Sequence, residues 1–149
     1  MKRSIKSVLG VTLLEIMLVL AIAAMIIVMS IRYYQSASLN EKINSTLDMV
    51  TSVVATGETY LNATGSFTGF GDTASLPYFP NGKLPSSAWG GPITIAPDTT
   101  SYTITIPNLP AADACTQIAA YLTQNSHISV KTDTCVITVY AGSASASPS

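Results

Sequence analysis

From residue 11 to residue 31 polar side chains interrupt an apolar run at only three positions, Thr12, Glu15 and Ser30. Between Ile16 and Met29, fourteen consecutive residues carry none. Twenty-one residues wound as an α-helix span about 31 Å, enough to cross the hydrocarbon core of a bilayer. Neither glycine nor proline occurs from Val11 to Thr56, so nothing in the sequence stops this helix at a membrane boundary. Beyond Ile31 the pattern becomes amphipathic. Leu39, Ile43, Leu47, Val50, Val54 and Leu61 recur at spacings of three, four and seven, with Asn40, Glu41, Asn44, Asp48 and Thr51 between them. The pattern predicts one long helix. Its first half, residues 11–31, lies in lipid, and its second half lays one face on a globular head.

The head, residues 32–140, reads as α+β: a small antiparallel sheet and a second helix packed on the long one. Residues 57–92 are rich in glycine and proline and show little periodicity, which predicts a long surface connection. Phe67, Phe70, Tyr78 and Phe79 are expected to pin it to the core, with Trp89 as a core plug beside a tight Gly90-Gly91 turn. Residues 93–96 and 102–106 alternate apolar side chains with threonine, as in a half-buried hairpin. Asp113 is expected to cap or open a helix running to about Asn125, with Ile118, Ala119 and Leu122 inward. Two further strands are predicted at residues 127–131 and 135–140, and a small-residue tail at 141–149 is expected to be flexible.

Charge adds an asymmetry. Only 10% of residues are charged, against about a quarter in ordinary soluble domains, while serine and threonine number 36. A net charge of −1 gives no basic footprint for nucleic acid. Lys2, Arg3 and Lys6 stand in the first ten residues without an acid, whereas from Val11 onward four basic residues face eight acidic ones. A basic head before an apolar run has the form of a targeting segment whose positive end stays cytoplasmic.

The chemistry-bearing residues are few. With His127 the only histidine, no triad is available, no carboxylate pair has an interpretable spacing, and no metal or cofactor is expected. Gly69-Phe70-Gly71 and Gly90-Gly91 lack the strand–helix context and lysine of a phosphate loop. Glu15 stands apart, because a carboxylate within a membrane segment costs roughly 2.5–3.5 kcal/mol on insertion scales and therefore needs a partner or a task. A secretory signal cleaved near Ser36-Ala37-Ser38, a plain signal anchor and a buried core helix are the other readings of the run. None of them uses Glu15.

The segment Gly10-Val11-Thr12-Leu13-Leu14-Glu15 follows the basic head directly. A short basic leader ending in glycine, then four residues, glutamate and an unbroken apolar helix resembles the class III leader of type IV prepilins and pseudopilins. The stretch Tyr33-Tyr34-Gln35-Ser36-Ala37-Ser38 is similar to that of type IVb bundle-forming and thin-pilus pilins. So are Ala88-Trp89-Gly90-Gly91, the two strands that follow it, and residues 110–115 leading into a helix. The resemblance covers most of the chain and implies the pilin fold, with residues 1–10 removed by a membrane aspartyl peptidase between Gly10 and Val11. It also implies N-methylation of Val11, an assembly role for Glu15, and a bridge between Cys115 and Cys135 in an oxidising compartment. Implied partners are copies of the same chain, the prepilin peptidase, an assembly platform with its ATPase, a secretin, and inner-membrane lipid before assembly. The implied location is the bacterial inner membrane and then an extracellular filament for adhesion, conjugation or a related role.

A major pilin, a minor pilin or type II secretion pseudopilin, and a membrane-anchored periplasmic enzyme or binding protein are the readings to separate. Processing separates the pilin and pseudopilin readings from the last. The leader pattern predicts a mature chain beginning at Val11, so intact-mass measurement of membrane-extracted protein should show loss of residues 1–10, and Gly10→Val should trap the uncut form. A terminus near Ser38 would contradict the leader assignment.

Overall fold

The computed structural model describes residues 6–109 and 111–142, with residues 6–11 and 111–112 described by backbone only. The first half of the predicted leader and most of the predicted tail lie outside these residues. Helix α1 runs over Lys6–Thr64 and is followed by two 3₁₀ turns, Leu76–Tyr78 and Pro80–Gly82. Then come β1 (Thr94–Pro97), β2 (Ser101–Thr105), α2 (Ala111–Leu122), β3 (Ile128–Lys131) and β4 (Val136–Tyr140). The architecture is α+β, as the pattern predicts. The chain divides into two compact units, residues 1–39 and residues 40–149.

In the first unit α1 is apolar on every side. The large apolar side chains from Leu13 to Ile31 are all 52–70% exposed. This is the one helix of the described residues long and apolar enough to cross a membrane, with a mean hydropathy of 2.7 in its most apolar stretch. By length and composition, and with no protein cover among the described residues, this stretch is compatible with a membrane span.

The second unit is organised by an antiparallel sheet of order β1-β2-β4-β3. Register places Ile95, Ile104, Ile137 and Val130 in one row across it, and Pro97, Tyr102, Val139 and Ile128 in the next. Alternating positions on the strands carry Thr103, Thr138 and Ser129 on the other face. Period-2 alternation of aliphatics with hydroxyls therefore yields one apolar face and one hydroxyl face. The strands fall within one residue of their expected positions. Helix α2 begins at Ala111, two residues before Asp113, which lies in its first turn, and ends at Leu122 instead of near Asn125. Ile118, Ala119 and Leu122 are buried, as expected.

The face that α1 gives to this unit differs from the expected stripe. Ile43, Thr46, Val50, Val53, Gly57 and Tyr60 are buried, a run spaced alternately by three and four, while Leu47, Val54 and Leu61 are only half-buried. Two residues that hydropathy discounts explain the rotation. Thr46 hides its polarity by donating its hydroxyl to the Lys42 carbonyl at 2.8 Å, leaving a methyl-bearing side chain that packs as an apolar one. Gly57 supplies a socket. A β-carbon there would lie 2.7 Å from the Tyr102 hydroxyl oxygen, so the Tyr102 ring rests directly on the helix backbone.

Around Tyr102 the connection between α1 and β1 is held by aromatic rings. Phe67 and Phe70 each meet Tyr102 edge-on at 4.8 Å between centroids, Phe70 stacks on Phe79 at 5.5 Å, and Tyr60 contacts Phe70 and Tyr78. The Tyr60 hydroxyl donates to the Thr68 carbonyl at 2.8 Å. The four aromatics expected to pin this segment do so. Trp89 does not act as a buried plug: half-exposed, it donates its indole N–H to Thr46 Oγ1 at 3.1 Å, and Lys42 Nζ lies 5.2 Å from the ring centroid. It clips the 84–92 segment to α1 from the side, since its polar edge has a partner only there.

The Tyr102 hydroxyl is buried and has no hydrogen-bond partner among the described residues. Burial, with the Glu58 carboxylate second, pushes this phenol above its ordinary value. An orphaned buried hydroxyl costs about 1–3 kcal/mol, so deleting it should not destabilise. In thermal unfolding of the full chain in detergent, Tyr102→Phe should match or exceed the parent. Gly57→Ala should lose roughly 1–3 kcal/mol by overpacking. Part of that loss should return in the double variant, because the two sites touch. A clear loss in Tyr102→Phe would show that the hydroxyl has a partner.

Candidate functional site

Two sets of residues singled out by sequence lie in different units. Gly10, Val11 and Glu15 are on α1 in the first, and Cys115 and Cys135 are in the second. Gly10 and Val11 are helical in backbone, and the Val11 side chain lies outside what the structure describes. The helix does not pause at the predicted cleavage point: Lys6 through Gly10 belong to α1, although the predicted helix starts at Val11.

Glu15 is exposed, and so are the residues on either side of it. Along the helix it borders a shallow apolar recess lined by Thr12, Ile16, Val19 and Leu20. Among the described residues it makes no hydrogen bond or ion pair. In water such a carboxylate needs no partner. In lipid the same side chain is costly, and apart from Thr12 the neighbours lining that recess are aliphatic. Chemically the arrangement is a single unpaired anion, carried near one end of an apolar rod and open to a cation from another molecule.

Cys115 and Cys135 are bonded, with 5.6 Å between their Cα atoms and a sequence separation of 20. The bond ties the first turns of α2 to the turn before β4, and both cysteines are buried. Cys135 has φ 48°, a left-handed conformation that an L-residue adopts only when its surroundings hold it there. The bridge and the ladder starting at Val136 on its C-terminal side supply that hold. Beside the bridge is a cleft of about 280 Å³, walled by Ile106, Asn108, Leu109, Thr132, Asp133 and Thr134 in addition to the two cysteines. Its one acid, Asp133, already accepts from the Thr134 backbone N–H at 2.9 Å and lies 3.6 Å from Lys131 Nζ. No group of three or more potential metal ligands gathers among the described residues.

Sequence reasoning missed Thr46, Gly57 and Lys42. A signal for the first two existed: 43, 46, 50, 53, 57 and 60 follow a strict three–four alternation once threonine and glycine are admitted to it. Nothing in the sequence pairs Lys42 with Trp89, 47 positions later.

Compared with models of protein families, with curated proteins and with solved structures, the chain matches none.

Closing a loop of about twenty residues stabilises by roughly 3 kcal/mol on the chain-entropy estimate. Cys115→Ser should therefore lower the unfolding free energy of the head by that order while leaving the N-terminus of the protein as in the parent. Thiol labelling of the denatured, unreduced parent should modify neither cysteine. Quantitative labelling of both would contradict the bridge.

Proposed function

We propose that the chain is the structural subunit of a filament of the type IVb pilus kind, held in the inner membrane by α1 and polymerised after removal of residues 1–10. The observation that carries this reading is Glu15: one unpartnered carboxylate, five residues past Gly10, on a helix whose following fourteen residues are all apolar. An anchor needs no such charge, and a cleaved signal would discard it. A subunit that must find its place among copies has a use for it.

Cleavage after Gly10 would leave a cationic amine at Val11, four residues and about 6 Å along the axis from Glu15 of the same helix. Within one helix that geometry is poor. A neighbouring copy displaced along the filament axis would bring its own Val11 amine to this Glu15. In a low-dielectric bundle of helices each charge alone is expensive, and pairing offsets much of that cost, so the pair would set the axial step of addition. The uncut chain has an amide at this point and no cation, which would make processing a precondition of assembly.

The head contributes by its build. One helix face, an aromatic-pinned connection and a bridged C-terminal region give a compact unit suited to the outer shell of such a filament. Partners under this reading are further copies, the processing peptidase, an assembly platform with its ATPase, and a secretin. The role is structural, with no catalytic step assigned to the chain.

The test is piliation. Sheared surface filaments should consist mainly of this protein starting at Val11. Glu15→Val should enter membranes at least as well as the parent yet produce no filaments, and Glu15→Asp should be partly impaired. Normal filament numbers in Glu15→Val would mean that the carboxylate merely snorkels to the interface, and the assembly role would fall.

A further inference from the structure

Immediately after the apolar run α1 carries Arg32, Tyr33 and Tyr34, and these three are as bare as the run itself, with Tyr33 at 79% and Tyr34 at 76% exposed. We propose that Arg32, Tyr33 and Tyr34 form an interfacial anchor for phospholipid headgroups, fixing how deep α1 sits in the bilayer and therefore where Glu15 lies. The inference rests on the membrane-held state of the reading above and adds the element that sets its depth.

Tyrosine combines an apolar ring with a polar tip and gathers where hydrocarbon meets headgroups, and arginine there reaches phosphate with its guanidinium while its stem stays in the apolar layer. Here the transition is abrupt. Ile31 is the last residue of the apolar run, and Gln35 and Ser36 follow the anchor. The final hydroxyl below the boundary, Ser30 Oγ, is already satisfied by donation to the Ile26 carbonyl at 2.8 Å, which suits it to the lipid side. Successive helical positions are rotated by about 100°, so the three side chains spread over more than half the circumference of α1. A protein partner docking on one side could not take all three. A membrane interface encircles the helix and can.

The spacing gives the anchor its consequence. Tyr33 and Glu15 are 18 residues apart, about 27 Å of helix, so an anchor at the outer headgroups holds the carboxylate near the inner edge of a hydrocarbon core about 30 Å thick. There it keeps some access to water and escapes most of the penalty it would meet at mid-bilayer. Were α1 free to slide inward by a turn, Glu15 would leave that edge for the cytoplasmic water. With the anchor in place it waits at a constant depth, beside the level at which a newly cut Val11 amine would stand.

The depth of a label tests this in the full chain. With both native cysteines bridged, Val28→Cys offers the single reactive thiol for a nitroxide, and its depth is read by collision with oxygen and with a water-soluble nickel complex. The vesicles are of phosphatidylethanolamine and phosphatidylglycerol. In the otherwise unaltered chain the label should sit a short way below the outer headgroups. In Arg32→Ala/Tyr33→Ala/Tyr34→Ala the apolar run is lengthened, and the label should move toward the bilayer centre by up to about one helical turn, ~5 Å. The Tyr33→Trp/Tyr34→Trp pair, which keeps the interfacial chemistry, should hold the original depth. An unchanged depth in the triple alanine variant, or a shift in the tryptophan pair equal to it, overturns the anchor and leaves the membrane-held subunit standing. Failure of the unaltered chain to enter the vesicles overturns both.

Discussion

Everything in this molecule depends on one helix whose two halves follow different rules of burial. From residue 11 to residue 56 the sequence lacks both residues that would end α1, and within that span the rule for what it must bury changes. Up to Ile31 the helix is apolar on every side and no protein covers it. From Ile43 onward only one seam is buried, and polar residues occupy the rest of its surface. The first pattern needs a medium that surrounds the helix. The second needs a single packed face, which the sheet and the aromatic connection provide. No local propensity distinguishes the two halves, so burial demand alone divides the labour of α1.

The seam shows how a helix is held when its best contacts are not its most hydrophobic residues. Tyr102 lies in the sheet row with Val139 and Ile128 and presses its ring on Gly57, with Phe67 and Phe70 closing around it. Close backbone approach yields many dispersion contacts, which outweigh the hydroxyl left without a partner at the same spot. Thr46 serves twice, turning its proton back to Lys42 and receiving the indole N–H of Trp89. The Cys115–Cys135 bond then ties α2 to the residue before β4.

Much of this was legible in the sequence, for identifiable reasons. The bare apolar stretch of α1 is legible because fourteen apolar residues follow one another, and the strands because threonine alternates with isoleucine or valine at period two. The head face of α1 is not legible from hydropathy. Leu47, Val54 and Leu61 outrank Thr46 and Gly57 on any such scale, yet it is the small and back-bonded residues that let the sheet approach. Trp89 misleads similarly, since its size suggests a plug while its N–H requires an acceptor, and that acceptor is on the flank of α1. Glu15 is legible through cost: a charge within an apolar run is conspicuous in one dimension. The partner proposed for it belongs to another copy, which no single chain can display.

The account stands on the claim that α1 meets lipid on all sides over its first half and protein over its second. Photoactivatable acyl chains in phospholipid vesicles holding the full-length protein measure this directly. Residues 16–31 should be labelled around the whole circumference of the helix, and the seam from Ile43 to Tyr60 should remain unlabelled. Labelling confined to one side of 16–31, or reaching into that seam, would contradict it.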